Sequence, residues 1–361
     1  MNHRLSTLYA RKAHTSNITE VIDINVSDPI SQLIIELSTL NVGDDATAHA
    51  IACLTKIELV DGSDVLFSLS GYEAEAVDIY HNKRMRSNWN AYLSTLGVQR
   101  FLAINFGRKI WDSLLAFDPT KFKNPQLKLS LDIDAGGNAP STNYLQVWAA
   151  LFDEKMISPM GFLMHKEIKD YPMGVSTHEY TDLPGDHPYR KLFVRQMTYG
   201  TEPCGHLDNI KLSEDQDKRI IFNHGPVDLF RSIAADNPQL IEQIMFVAHN
   251  TATYVYTTVS ERATATFADW ATSVAANSYA SYGSAGGRMS VIDSVGTRNA
   301  VAIVAGWIPH GVYEIPFGDQ DDPEDWFDPS ALRALKLDVK ATSGALSTDS
   351  VQVFLQQLRR Y

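Results

Sequence analysis

Cysteine is nearly absent: Cys53 and Cys204 are the two in 361 residues. Two distant thiols give no disulfide framework, and each is expected to be free, in a reducing compartment. Long apolar runs are missing as well. No stretch approaches the roughly 18 consecutive apolar residues that mark a membrane-spanning helix. The opening MNHRLSTLYARKAH is basic but has no apolar core of the kind a secretion signal carries, so export by that route is not expected. Positive charge is in deficit. Forty-three acidic residues against 31 basic ones leave a net charge of −12, which argues against a surface built mainly to grip nucleic acid.

Catalytic signatures are also lacking. There is no Gly-x-Ser-x-Gly elbow, no His-Glu-x-x-His pair, no Gly-x-Gly-x-x-Gly loop and no phosphate-binding Walker sequence. HEYTD, at His178, has no second histidine to complete a zinc helix, and the eleven histidines follow no metal-ligand spacing. No catalytic, cofactor-binding or metal-binding residue is therefore assigned, no cofactor is expected, and the chain does not read as an enzyme. One acidic run stands out, GDQDDPEDWFDP (318–329), with Asp319, Asp321, Asp322, Glu324, Asp325 and Asp328. Loop carboxylates can gather around calcium. Pro323 breaks an EF-hand reading, however, and no glycine sits at the turn position such a loop needs. A solvated loop, anchored by Trp326 and Phe327, is preferred to a cation site.

What the sequence does contain is a repeat. LDIDAGGNAPSTNYLQVW (131–148) aligns without a gap to LDVKATSGALSTDSVQVF (337–354), with eight of eighteen positions identical. A looser match lies upstream. LTKIELVDGSDVLFSLSGYEAEAVDIY (54–80) faces LDNIKLSEDQDKRIIFNHGPVDLF (207–230): both open Leu-x-x-Ile-x-Leu, pass a polar turn and an apolar triplet, then reach a glycine and Val-Asp-Ile-Tyr or Val-Asp-Leu-Phe. Two matches in the same order imply tandem duplication. The second copy is longer, which places a large insertion at about 240–300, rich in Ala, Ser, Thr, Tyr and Gly.

Each copy reads as β-structure. In LKLSLDID, Leu127, Leu129, Leu131 and Ile133 alternate with Lys128, Ser130, Asp132 and Asp134, one buried face against one wet face. Leu335, Leu337 and Val339 repeat the pattern. Further strands are expected at 31–40, 101–106, 144–152, 191–199, 252–259 and 299–308, and helices at 72–96 and 225–245. The fold class is all-β: two tandem eight-stranded antiparallel jelly-roll sandwiches with short helices in loops. The expected division is an N-terminal arm (1–27), a first jelly roll (28–157), a connection (158–188) and a second jelly roll (189–361). The repeated stretches are read as the closing hairpin of each sandwich.

This layout resembles the double jelly-roll major capsid proteins of the lineage that includes adenovirus and tailless, membrane-containing bacteriophages. The stretches most similar to that family are LTKIELVDGSDVLFSLSG, LLAFDPTKFKNPQLKLSLDI, IPFGDQDDPEDWFDPSALRALKLDV and STDSVQVFLQQLRRY. The resemblance implies a viral structural protein whose homotrimers, as pseudo-hexagonal capsomers, tile an icosahedral shell. It implies as partners the chain itself, neighbouring capsomers and other virion proteins, with assembly in the host cytoplasm. The N-terminal arm suggests one more partner. Arg4, Arg11 and Lys12 precede the first acid, Glu20, and on a helix Leu5, Leu8 and Tyr9 would share a face. Such an arm would be poorly ordered alone and would lie against an internal membrane or the genome. Two other readings compete: a minor vertex or spike protein, distinguished by copy number, and a carbohydrate-binding or carbohydrate-active β-sandwich using Trp and Tyr within 254–307.

Overall fold

The computed structural model describes the chain except residues 1–2, 44, 88, 139, 154–156, 270–278, 294–296 and 347–349. Alternation builds its strands. Over Pro125–Leu131, Leu127, Leu129 and Leu131 are buried while Gln126, Lys128 and Ser130 are half-exposed.

The first sandwich begins with β1 (His3–His14), β2 (Ile18–Asp23), β3 (Ile30–Leu40), β4 (Leu54–Asp61) and β5 (Asp64–Leu69). Helix α1 (Gly71–Asn82) and a short β6 (Trp89–Tyr92) follow, then β7 (Gly97–Asn105), β8 (Pro125–Leu131) and β9 (Thr142–Phe152). One sheet runs β1-β9-β3-β7, and the other set of strands runs β2-β8-β4-β5. Apart from the β4–β5 hairpin, successive strands alternate between sheets, which is jelly-roll winding.

The second sandwich repeats this strand for strand. It has β10 (Gly161–Pro172), β11 (His178–Asp182), β12 (Tyr189–Gln196), β13 (Leu207–Glu214), β14 (Arg219–His224) and helix α2 (Pro226–Asp236). An excursion then carries β15 (Leu240–Ala248), β16 (Thr253–Tyr256), β17 (Thr264–Asp269), β18 (Tyr279–Ala285), β19 (Arg288–Asp293) and β20 (Arg298–Gly306). The chain returns through β21 (Val312–Pro316), β22 (Leu335–Ala341) and β23 (Ser350–Arg360). The sheet orders, β10-β23-β12-β21 and β11-β22-β13-β14, match those of the first sandwich. The weak upstream repeat is thus the β4–β5–α1 unit answered by β13–β14–α2.

A parallel pairing of β5 with β10 joins the two sandwiches. Phe67 and Ser68 of β5 lie opposite His165 and Lys166 of β10, fusing two four-stranded sheets into one of eight. Pairing two edges in this way hides backbone groups that would otherwise template aggregation. A single cluster of buried side chains runs through both sandwiches, including Leu33, Ile57 and Leu129 from the first and Leu192, Phe193 and Phe354 from the second. Phe193 stacks on Phe354 with centroids 4.9 Å apart.

Four expectations need correction. The N-terminal segment is not a free arm and holds no helix: β1 pairs with β9 from His3 opposite Phe152 to His14 opposite Asn143, and β2 pairs with β8. Its cations are bound within the chain, Arg4 to Asp28 and Asp153, Arg11 to Glu36 and Lys12 to Glu20. An arm reaching for lipid or genome thereby loses its premise. Residues 158–188 are not merely a connection, because they hold β10 and β11, the first two strands of the second sandwich. The repeated stretches are not hairpins, since β8 and β9 lie in different sheets, as do β22 and β23; two strands with apolar faces wind across the core instead of pairing.

The helices are also shorter than expected. Helix α1 is capped at its start by a capping box, with Ser70 Oγ accepting from the Glu73 backbone and Glu73 accepting from the Ser70 backbone. It stops at Asn82, where Lys83 takes a left-handed φ of 54°. Residues 89–92 then form a strand, not a helix. Helix α2 stops at Asp236, two residues before Pro238, and the Ile- and Val-containing segment Leu240–Ala248 becomes β15.

The excursion forms two extra sheets, β17-β20-β15-β6 and β16-β19-β18. Its strand β15 pairs in parallel with β6, which belongs to the corresponding connection of the first sandwich. The two halves therefore meet at their helical ends as well as through β5 and β10. The β18–β19 turn is Gly286-Gly287, with φ of 55° and 72°. A two-residue hairpin turn of this hand requires positive φ at both positions.

Candidate functional site: a buried polar junction and an acidic loop

Where the excursion meets the first sandwich, the chain buries a cluster of polar side chains. Arg100 of β7 is 1% exposed. Its Nε donates to Glu75 Oε1 of α1 at 2.9 Å, Nη1 to Asn90 Oδ1 of β6 at 3.1 Å and Nη2 to Thr258 Oγ1 at 3.1 Å. Glu242 of β15 accepts from Asn90 Nδ2 (3.0 Å), Thr258 N (2.7 Å) and Thr258 Oγ1 (3.0 Å). Two histidines complete the cluster. His310 Nε2 lies 2.8 Å from Glu75 Oε2, and His49 Nε2 lies 3.2 Å from Thr258 Oγ1. His310 has a left-handed φ of 49°, a conformation that surrounding structure must impose on a non-glycine residue.

The electrostatics follow from burial. Burial pushes the Glu75 carboxyl up, but Arg100 and His310 outweigh it and hold the group below the ordinary carboxylate value. For Glu242 burial wins over Arg100 and the Thr258 bonds, and its pKa is raised. Burial, then Arg100, then His310 lower His49 well below the usual imidazole range. His310 is lowered by burial despite its bond to Glu75. With both imidazoles neutral, one guanidinium stands among two carboxylates.

His49, Glu75 and His310 have donor atoms within 4.8 Å of one another, which by composition could hold a metal ion. The hydrogen bonds point the other way. His49 Nδ1 accepts from the Ile51 backbone at 3.3 Å, so its proton sits on Nε2 and is turned toward Thr258. His310 turns an N–H toward Glu75, whose other oxygen is occupied by Arg100. The ring nitrogens that face Thr258 and Glu75 present protons there, and these hydrogen bonds make the cluster a junction between the excursion and the first sandwich. Nothing in the sequence pointed to it, because positions 49, 75, 90, 100, 242, 258 and 310 follow no spacing and lie in separate segments of the chain.

The acidic run 318–329 folds as a chain of tight turns whose carboxylates satisfy its own backbone. Asp325 Oδ2 accepts from Asp319 N at 2.7 Å, Asp319 Oδ1 from Asp321 N at 2.9 Å and Asp322 Oδ1 from Glu324 N at 3.0 Å. Asp328 Oδ1 accepts from Ser330 N at 2.9 Å, and Glu324 pairs with Arg360. Trp326 is buried and donates from Nε1 to Asp319 O, while Phe327 stacks on Phe317 with centroids 5.4 Å apart. Both aromatics anchor the loop. His178, in β11, faces Asp338 at 3.0 Å.

No protein-family model matches the sequence, and no curated protein does. Solved structures do. The chain is similar to the MCP of STIV, the Sulfolobus turreted icosahedral virus, with TM-score 0.60 and 12% identity over 99% of this chain and 97% of that one. A PBCV-1 virus capsid structure matches at TM-score 0.60 and 10% identity, covering 99% of this chain and 94% of that one. The major capsid protein P2 of bacteriophage PM2 matches at 0.57 and 8%, covering 99% and 98%. At these identities the likeness lies in the course of the backbone, and it extends from end to end. The chain has the tandem double jelly-roll fold of these capsid proteins.

Proposed function

We propose that the chain is the major capsid subunit of an icosahedral virion, forming pseudo-hexagonal trimers that tile the shell. One observation carries the reading: two equivalent jelly rolls are fused side by side through the β5–β10 pairing, with matching strand orders. Three such chains offer six similar sandwiches around one axis, and heterologous contacts that close after three steps give a ring. The full-length likeness to capsid proteins of three viruses supports the same reading. The partners are then further copies of the chain, neighbouring capsomers and other virion proteins. Each subunit contact should exceed the roughly 1,000 Å² expected of a biological interface.

Size-exclusion chromatography with light scattering tests the proposal. A particle with the mass of three chains is expected across a wide concentration range. A monomer that persists at high concentration contradicts it. Copy number in purified particles separates the major subunit from a minor vertex protein.

A further inference from the structure

Between the two jelly rolls lies a second polar feature, a cavity of about 310 Å³ reached from the ends of α1 and α2. Its inner wall holds Arg190 and Lys191 of β12, Glu314 of β21 and His81 of α1; Lys83 and Arg108 stand nearer its mouth. Arg190 is 5% exposed, yet among the described residues no carboxylate accepts a hydrogen bond from it. Its hydrogen bonds run from Nε to Gln320 O at 3.2 Å and from Nη1 to Gln356 Oε1 at 3.1 Å, both neutral acceptors. Two further polar atoms there are buried without partners, His81 Nδ1 and Glu314 Oε2. Glu314 Oε1 is taken by Lys191.

These groups ask for a specific ligand. Lys191 takes up Glu314, so the Arg190 charge is offset only by the face of Trp326, 5.6 Å from its Cζ, and by the fields of Glu314, Asp321 and Asp112, none of them bonded to it. A buried charge without a directly bonded counter-charge is costly. Burial pulls the Arg190 guanidinium down to about 10, a cost that an anion would relieve. Asp236 and Asp321 also line the cavity, but both are exposed at its mouth. Glu314 Oε2 selects among anions, because a buried carboxylate oxygen can accept only from a ligand that still carries a proton. Phosphate near neutral pH keeps at least one P–OH; sulfate keeps none.

We propose that this cavity binds inorganic hydrogen phosphate and thereby clamps the two jelly rolls together. Arg190 and the His81 Nδ1 position hold its oxygens, and Glu314 Oε2 accepts its P–OH. Because the lining comes from both sandwiches, bound phosphate stabilises their junction.

The test is titration calorimetry and thermal unfolding of the full chain at neutral pH, with sodium phosphate against sodium sulfate at matched ionic strength. Saturable phosphate binding and a rise in melting temperature are expected, with sulfate ineffective. Arg190→Met should weaken phosphate binding by about tenfold or more, the loss of one charge-assisted contact. Glu314→Gln, which offers an N–H where the carboxylate stood, should abolish the preference for phosphate over sulfate. That variant keeps the proposal testable if Arg190→Met does not fold. The absence of saturable phosphate binding to the unmodified protein overturns the proposal. So does equal stabilisation by both anions, or a Glu314→Gln variant that still prefers phosphate.

Discussion

Arg100 shows how much one residue carries in this molecule. It bridges Glu75 of the first sandwich to Asn90 and Thr258, and through them to Glu242 of the excursion. Replacing one partner of a buried ion pair costs about 3–5 kcal/mol, because the other charge is left without compensation. Arg100→Met should therefore lower the unfolding free energy by about that amount in urea titration. Arg100→Lys should recover little, since a single ammonium cannot reach Glu75, Asn90 and Thr258 together. A wild-type midpoint for Arg100→Met would show that the cluster is decoration.

Glu202 gives a prediction that depends on pH. It accepts from Gly286 N at 3.4 Å and Arg262 N at 3.2 Å, tying the excursion to the loop before β13. Burial, and then the neighbouring Glu261 charge, push its carboxyl up to about 7 from an ordinary value of 4.5. A raised carboxyl favours the protonated folded state, so the penalty for ionising it is absent below about pH 4.5 and complete above about 7. Stability should fall as pH rises through that window. Glu202→Gln removes the charge and leaves an oxygen to accept, so its melting temperature should exceed wild type at pH 8 and match it near pH 4.5. An equal shift at both values would remove Glu202 as the cause.

At the scale of elements, legibility followed periodicity. β8 and β22 announce themselves because each has a leucine-rich face and a polar one. β1 did not. Its burial is partial and irregular, with Leu5 61% exposed, and its register with β9 slips twice, so no clean two-residue period survives. Its basic residues looked like a tail because their carboxylate partners, Asp28, Glu36 and Asp153, lie in later segments of the chain. The second halves of the two expected helices failed for another reason: β6 and β15 are strands because they pair with each other across more than 150 residues, a tertiary contact that local pattern does not encode.

The placement of β1 changes what truncation should do. Deleting residues 2–16 removes an edge strand, its ion pairs, and the partly buried Leu8 and Tyr9 that pack on the core. It also uncovers the edge of β9, a template for unwanted pairing. The truncated chain should melt earlier than the full chain and aggregate, as read by scanning fluorimetry and light scattering. Unchanged melting and a monodisperse product would contradict the role of β1 as a strand that covers the edge of β9.

Across the whole molecule, duplication was the most legible feature, since the repeat at 131–148 and 337–354 marks the same strand–link–strand unit in each sandwich. What it could not reveal is how the halves are joined, because the β5–β10 pairing and the Arg100 cluster link segments that the repeat treats as unrelated. The chain holds two equivalent sandwiches in fixed relation, and under the proposed function they would fill two of six positions in a ring. Electron cryomicroscopy of the purified protein tests that claim most directly. Particles of three chains with pseudo-sixfold outline, six jelly rolls around the axis and subunit contacts between sandwiches of neighbouring chains are expected. Isolated monomers, or a closed dimer in which the two sandwiches of one chain pair with their own copies, would contradict it.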